Sequence, residues 1–518
     1  MLFKKGKKGG FLFPLFFVSV FVLCIFFLFL PNYERDVLLY QIAVPKAWQG
    51  NFFKQIFFSH FFFYPWLPFL FNYVAIKLNL LFLVNFFHLF FAFATVYLIY
   101  KTIKNKNSAT FISIVFMTIQ PFLRFSYVAY SDFYLTFFSF GALIFAIKAY
   151  ENNNKYFLFL SATLCGLGLN TKYNMIVFAI LLYFFVFWLC YDKFKSVKKS
   201  VSDLSLYIFV SFSMFLPFLL KNYFLTGSPF YPFFTNVFPN KNPFAFENVS
   251  HFLFRKYFFG ENLFQILLMP VFVFFYGVEN NLQFFDGVLN PFFVILPIIA
   301  VLAMKSKKIF VLFLFGWLYN YFVLFLEPVS ARFLLPSVPI FAYISGKFLL
   351  TLRLSQKKLL LIFIPFIIFN LYFGGKHIID KDKWQYLFGK ISKEEFLTRK
   401  CPDYLSIKFI NENTHKDAKI FYLFSGQRTY YLERDFIYDS FNDGRLFKRI
   451  FDGSKDEKEF AENFKSYGIT HIFMRKDLFE NFLADNFSSN ELEIIGRFLN
   501  KHVKLLFQDK DFLVLEII

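Results

Sequence analysis

Residues 32–70 read NYERDVLLYQIAVPKAWQGNFFKQIFFSHFFFYPWLPFL. A hydrophobic run, Phe11–Leu30, precedes them, and another begins near residue 79. The stretch therefore separates two membrane-crossing segments, yet it carries Glu34 and Asp36 where acids are scarce. Helical periodicity from Arg35 to Trp48 puts Asp36, Tyr40 and either Ala43 or Val44 on one face. A carboxylate held at a membrane surface, partly desolvated, can act as a general base. An isolated acid after a span can equally be a solvated loop residue.

Composition sets the frame for that choice. A 57% hydrophobic chain of 518 residues with mean hydropathy +0.50 is not a soluble enzyme. Apolar runs of about 17–25 residues recur, each long enough for a hydrocarbon core of ~30 Å. The 93 phenylalanines are the product of an AT-rich coding bias and of lipid tolerance for Phe, and carry no functional weight. Charge is more informative. Residues 1–373 hold 31 Lys and Arg against 11 Asp and Glu, whereas residues 374–518 hold 24 of each. The whole +20 excess thus lies in the loops of a membrane region, which is the positive-inside bias and not a nucleic-acid patch. Two domains follow: a transmembrane domain over 1–373 and a charge-balanced α/β unit over 374–518. The four cysteines are scattered and imply neither a disulfide framework nor a metal cluster.

Spans are expected near 11–30, 79–100, 109–123, 133–150, 156–170, 174–191, 203–221, 289–304, 309–326, 333–351 and 358–373. Basic clusters at Lys4–Lys8, Lys101/Lys104/Lys106, Lys193–Lys199, Lys305–Lys308 and Arg353/Lys357/Lys358 should face the cytoplasm. Eleven spans satisfy all of them, with the N-terminus inside and the tail outside. Phe264–Gly277 would break that pattern as a twelfth span and reads as an interfacial or re-entrant helix. The N-terminal run has no small-residue cleavage site and reads as an uncleaved signal anchor. The fold class expected is a polytopic α-helical membrane protein with a C-terminal extracytoplasmic α/β domain.

This topology puts Asp36 in a first outer loop (31–78), Asp132 in the second, Glu247 and Glu261 in a long outer loop (222–288), and Glu327 outside as well. Arg35, Lys46, Arg124, Lys221, Arg255 and Arg332 share that face against the insertion bias, and a lipid phosphate docked from the outer leaflet would account for them. Asp132 opens a span, where a helix dipole favours an acid and where Ser131 or Asp132 can serve as the N-cap. In the tail, helices are expected over Pro402–Asn413 and over Glu457–Tyr467, the latter ending at Gly468. Strands are expected at Ala418–Phe424, Thr470–Met474, Val503–Phe507 and Phe512–Ile517. Tyr430-Tyr431 reads as packing, and His60 as a satisfied or solvent-facing histidine.

The run Asp36-Val-Leu-Leu-Tyr40-Gln-Ile-Ala-Val-Pro45-Lys46, then Tyr64-Pro65-Trp-Leu-Pro68, resembles the first outer loop of the GT-C glycosyltransferases. These include protein O-mannosyltransferases and the lipid A aminoarabinose transferase. Further motifs follow in order: Ala129-Tyr-Ser-Asp132, Gly168-Leu-Asn-Thr-Lys172-Tyr173, Lys221-Asn-Tyr-Phe-Leu-Thr-Gly-Ser-Pro229-Phe-Tyr-Pro232 and Arg332-Phe-Leu-Leu-Pro336. The resemblance implies an inverting transfer of a sugar from a polyprenyl-phosphate donor to a hydroxyl acceptor on the outer face of a bacterial cytoplasmic membrane. It implies Asp36 and Asp132 as the catalytic acids. Tyr40, Lys46, Tyr64, Lys172, Lys221 and Arg332 are the candidates for substrate contact, the cations serving the donor phosphate. Where many relatives carry Asp-Glu, Asp36 is followed by Val37. Where the aminoarabinose transferases carry Glu-Lys, this chain has Phe63 and Tyr64. No metal ligand is therefore assigned, and a divalent metal stays open. A transporter or flippase of lipid-linked glycans is the competing expectation, but such proteins show repeat symmetry and mid-membrane ionisable groups. The sequence shows no repeat, and its acids lie at the outer surface, not mid-span.

Overall fold

The computed structural model describes residues 12–50, 60–234, 237–238, 251–326, 330–352, 354–438, 444–452 and 454–518. Lys4–Lys8, Glu247, Glu327 and Arg353 lie outside the described residues.

Each of the eleven expected spans falls on a helix, but they are not equal. Among the described residues, seven segments are long and apolar enough to cross a membrane: Phe82–Thr102, Asp132–Glu151, Asn174–Phe194, Val197–Thr226, Lys307–Phe325, Ala331–Leu352 and Gln356–His377. Leu12–Phe27, Lys106–Thr118, Lys155–Leu169 and Phe292–Met304 have only 13–16 residues. At a rise of ~1.5 Å per residue they reach about 20–24 Å, short of the hydrocarbon core. The expected 109–123 span shows why apolar length overestimates a helix. Its helix stops at Thr118, Ile119 turns to an extended ψ of 148°, and a new short helix, Gln120–Phe125, starts with Pro121 in its first turn. Proline has no N–H to give an interior helix bond, so it is accommodated where that donor is not needed. Phe264–Gly277 is helical only over Leu263–Phe272, opened by a capping box between Asn262 and Gln265. Ten residues cannot cross.

Two of the long segments are central. Buried residues make up 83% of the most apolar 18-residue stretch in Asp132–Glu151 and in Ala331–Leu352, against 33% in Val197–Thr226 and 22% in Gln356–His377 at the periphery. Ala331–Leu352 begins as a 3-10 turn, Ala331–Ser337, before becoming the α-helix Val338–Leu352. The first residues of both central segments carry ionisable side chains, Asp132 and Arg332.

The C-terminal part forms a five-stranded sheet of β1 (Lys419–Leu423), β2 (Asp435–Tyr438), β3 (His471–Arg475), β4 (Val503–Asp509) and β5 (Phe512–Ile517), ordered β2-β1-β3-β5-β4. β1 pairs in parallel with β2 and β3, and β5 runs antiparallel to β3 and β4. Strand alternation divides the side chains between two cores. Ile420, Tyr422, Phe473 and Val514 pack with Ile407 and Ile410 of the Tyr404–Asn413 helix. Phe421, Leu423, Ile472 and Leu515 pack with Phe447, Phe460 and Phe498 on the other face. The four expected strands and two expected helices coincide with elements here, and Gly468 takes φ +70° just past the Glu457–Ser466 helix. β2 and the helices Lys476–Asn486 and Ser489–Lys501 were not anticipated. Four residues leave β2 too short for alternation to show.

Candidate active site

The segment following the first helix is where backbone and side chains converge. Val37–Gln41 is a single π-helical turn, with Ile42 N–H donating to the Val37 carbonyl, and an α-helix, Ala43–Ala47, follows. Such wide turns are rare and concentrate at functional positions. Asp36 precedes the turn without capping it, so its carboxylate is free for other partners. Tyr40, four residues on, donates its hydroxyl to Asp36 Oδ2 at 3.4 Å, which is the face sharing that periodicity implies.

Arg332 is the hub. Its guanidinium Nη2 contacts Asp36 Oδ2 directly, and its Nη1 lies 3.7 Å from Asp132 Oδ2. Asp132 Oδ1 in turn accepts from Lys172 Nζ at 3.1 Å. A chain of alternating charge results, Asp36–Arg332–Asp132–Lys172, built from four segments that are far apart in sequence. The guanidinium stacks 4.4 Å above the Tyr130 ring, and Lys172 Nζ sits 3.7 Å over Phe333. Aromatic faces attract cations and exclude water from them. The Arg332, Asp36, Asp132 and Lys172 side chains are 11%, 23%, 4% and 16% exposed, so the chain is desolvated along its whole length. Burial pushes the Asp36 carboxyl up, but the charge and hydrogen bond of Arg332 outweigh it and hold Asp36 below its usual range, helped by Arg35 and Lys172. Among the described residues, Arg332 Nε and Nη1 are buried without a hydrogen-bond acceptor.

Second contacts fix the acids. Gln41 Nε2 donates to Ser131 Oγ at 3.3 Å, tying the Asp36 loop to the residue before Asp132. Neither Ser131 nor Asp132 caps the Asp132–Glu151 helix through its side chain. That role falls to His88 of the Phe82–Thr102 helix, whose Nε2 accepts the Phe133 N–H at 3.0 Å. Its Nδ1, 3.1 Å from the Phe125 carbonyl, must then carry the proton and donate it.

Three expected contact residues stand differently from Lys172 and Arg332. Tyr64 borders the cluster through rings, 5.9 Å from Tyr40 and 5.9 Å from Tyr173. Lys221 Nζ donates to the Phe62 carbonyl at 3.3 Å and lies among the Phe63, Trp66 and Phe218 rings. Lys46 Nζ donates to the Tyr430 and Leu432 carbonyls at 2.6 and 3.0 Å, and burial lowers its pKa. His60 is buried against Phe61, and burial takes its pKa down to about 3. Two other cations have acid partners: Arg124 pairs with Asp286 at 3.1 Å and reaches Glu34 at 4.0 Å, while Arg255 grips Glu261 at 2.6 Å. Among the described residues no group of three His, Cys, Asp or Glu side chains converges as metal ligands. Tyr130, Phe333, Gln41 and His88 were missed from sequence, where an aromatic, an amide or a histidine in an apolar helix gives no sign of what it will touch.

Residues 59–220, which include Asp132 and Lys172, match the family model described as dolichyl-phosphate-mannose-protein mannosyltransferase. No curated protein matches the chain in sequence. Among solved structures, the chain is similar to ArnT from Cupriavidus metallidurans in the apo state, at 12% identity and a TM-score of 0.58, with 97% of both chains covered. It is similar also to the oligosaccharyltransferase of Archaeoglobus fulgidus. The apo form matches at 13% identity and a TM-score of 0.53, covering 92% of this chain and 70% of that one. The form with zinc and sulfate matches at 11% and 0.52, covering 96% and 72%. The family match over residues 59–220 and a membrane fold shared over nearly the full length agree: the chain is similar to membrane glycosyltransferases of the GT-C type.

Proposed function

We propose that this protein transfers a sugar from a polyprenyl-phosphate donor to a hydroxyl acceptor, with inversion, on the outer face of a bacterial cytoplasmic membrane. The single observation that supports the reading is Arg332: a buried guanidinium between two carboxylates with two nitrogens, Nε and Nη1, lacking a hydrogen-bond acceptor. An anionic group entering there would satisfy those donors, and a phosphodiester oxygen has the charge and geometry an arginine fork suits. Lys172 lies at the far side of Asp132 to share the load.

In this reading Asp36 is the base. The acceptor O–H bond breaks and its proton passes to Asp36. The acceptor oxygen bonds to the anomeric carbon from the face opposite the phosphate, and the sugar–phosphate C–O bond breaks with its electron pair leaving on the polyprenyl phosphate. Arg332 and Lys172 neutralise the charge that collects on the leaving oxygen. Asp132 holds the two cations in place, and Tyr40 orients the base by its hydroxyl. Paired with Arg332, Asp36 is a weak base. Once the guanidinium turns to a phosphate, burial raises its affinity for a proton.

The test is transfer from radiolabelled polyprenyl-phosphate sugars by the full-length protein in lipid nanodiscs. Asp36→Asn should lose at least about 100-fold in turnover, the scale of a missing general base. Normal turnover in that variant removes the mechanism. A reporter fused after Ile518 tests the sidedness, and activity on the cytoplasmic side would reverse it.

A further inference from the structure

The segment 429–432 of the C-terminal part grips the Asp36 loop on both sides of the acid. Upstream, Tyr431 donates its hydroxyl to the Asn32 carbonyl at 2.8 Å. Downstream, the Tyr430 N–H donates to the Leu38 carbonyl at 3.2 Å. Further on, Lys46 returns the contact, its ammonium held by the Tyr430 and Leu432 carbonyls and lying 5.4 Å over the Tyr430 ring. A fourth tie, Cys401 Sγ to the Tyr33 carbonyl at 3.5 Å, reinforces the upstream side.

These contacts go to main-chain atoms or come from them, and they leave little freedom to the turn between Leu38 and Asp36. The π-helical turn makes this matter. The widened Val37–Gln41 turn is continued only by the five-residue helix Ala43–Ala47, so contacts from outside the segment help to fix its geometry. Two charge-assisted bonds from one lysine, partly buried, are stronger than neutral ones. They also occupy Lys46, whose ammonium has two acceptors already.

We infer that Lys46 and the Tyr430–Leu432 segment are positioning residues that set where Asp36 stands against Arg332, so that the C-terminal part works as a brace for the base. The inference rests on Asp36 being that base, and it assigns Lys46 a role other than contact with the donor phosphate. Engagement of an acceptor by the C-terminal part would then be felt at Asp36 through these four short connections.

The experiment uses full-length protein in nanodiscs with Lys46→Met and Lys46→Arg. In the transfer assay, Lys46→Met is expected to lower kcat by about 10–100-fold, the effect of displacing a reacting group by about 1 Å. The donor KM should stay within about twofold, because no phosphate contact is lost. The acid limb of the kcat/KM–pH profile, which reports the free enzyme, should move up as Asp36 separates from Arg332, and Lys46→Arg should restore most of the rate. A loss of folded protein would scale the profile without moving it. A raised donor KM, or an unmoved acid limb, overturns the inference. A second measurement does not depend on transfer: spin labels at Gln49→Cys and Lys416→Cys, both exposed, report the seating of the C-terminal part by their distance distribution. The four native cysteines are buried and should not label. Lys46→Met should broaden that distribution, and an unchanged one refutes the brace even where no substrate is turned over.

Discussion

Replacing Arg332 by methionine tests the charge chain without any substrate. The arginine faces Asp132 at 3.7 Å and Asp36 more closely still, and none of the three side chains is more than 23% exposed. At an effective dielectric of about 20, two unit charges 3.7 Å apart attract by roughly 4.5 kcal/mol before desolvation is counted. Removing one member of a buried ionic group leaves the others unpaired, at a net cost of about 3–5 kcal/mol. Arg332→Met should therefore be destabilised by that order at pH 7, read as a lower midpoint in thermal or chemical unfolding of the purified protein. The pH dependence carries the sharper information. In the wild type, Asp36 titrates below its unfolded value of ~3.9, so the stability it contributes is complete above that value and lost as pH falls through the folded one. In the variant, burial acts on Asp36 without the guanidinium, its pKa rises, and acidification stabilises the fold relative to pH 7. The gap between the two proteins must shrink from pH 7 to pH 4. A gap that stays constant over that range, or an Arg332→Met protein as stable as wild type at pH 7, would refute the reasoning.

Three further outcomes are expected. Tyr40→Phe should reduce transfer by no more than about threefold, because a 3.4 Å hydroxyl contact is weak and the ring still packs on Phe61 at 4.8 Å; a loss of 100-fold would make the hydroxyl a proton carrier. Lys172→Met should raise the donor KM and destabilise the protein by about 1–3 kcal/mol, since Asp132 keeps only the more distant Arg332; an unchanged KM in transfer kinetics removes Lys172 from donor binding. His88→Phe should cost about 1–3 kcal/mol in unfolding experiments by orphaning the buried Phe133 N–H, the Phe125 carbonyl keeping the Val128 N–H, whereas equal stability would mean another group takes over.

The sequence carried some of this arrangement and concealed the rest for definite reasons. Asp36 and Tyr40 are four residues apart, and local periodicity is enough to bring them together. The two acids and Arg332 could be named because ionisable residues are rare in such a chain and because the motifs around them resemble those of GT-C enzymes. Their order in space could not be named: Arg332 lies 296 residues from Asp36 and bridges to Asp132, which no periodicity encodes. Lys46 illustrates the opposite failure. A basic residue on an expected outer loop looked like a phosphate ligand, but its partners are two main-chain carbonyls 384 and 386 residues away. Arg124 and Arg255 carry the same outer-loop signal, although Asp286 and Glu261 balance them. Span lengths erred where apolar runs continued through a proline break, as at Pro121.

Ordinarily the first turn of a helix claims the nearest small polar side chain to quiet its loose amide hydrogens, and an aspartate there spends its lone pairs on its own backbone. Here a neighbouring helix lends an imidazole for that chore. Asp132 is thereby discharged from housekeeping and can turn both oxygens toward Lys172 and Arg332. A swap of His88 for any residue without a ring nitrogen would invite the acid back to its own amides, and the cations would lose their tether without a single charge having been changed.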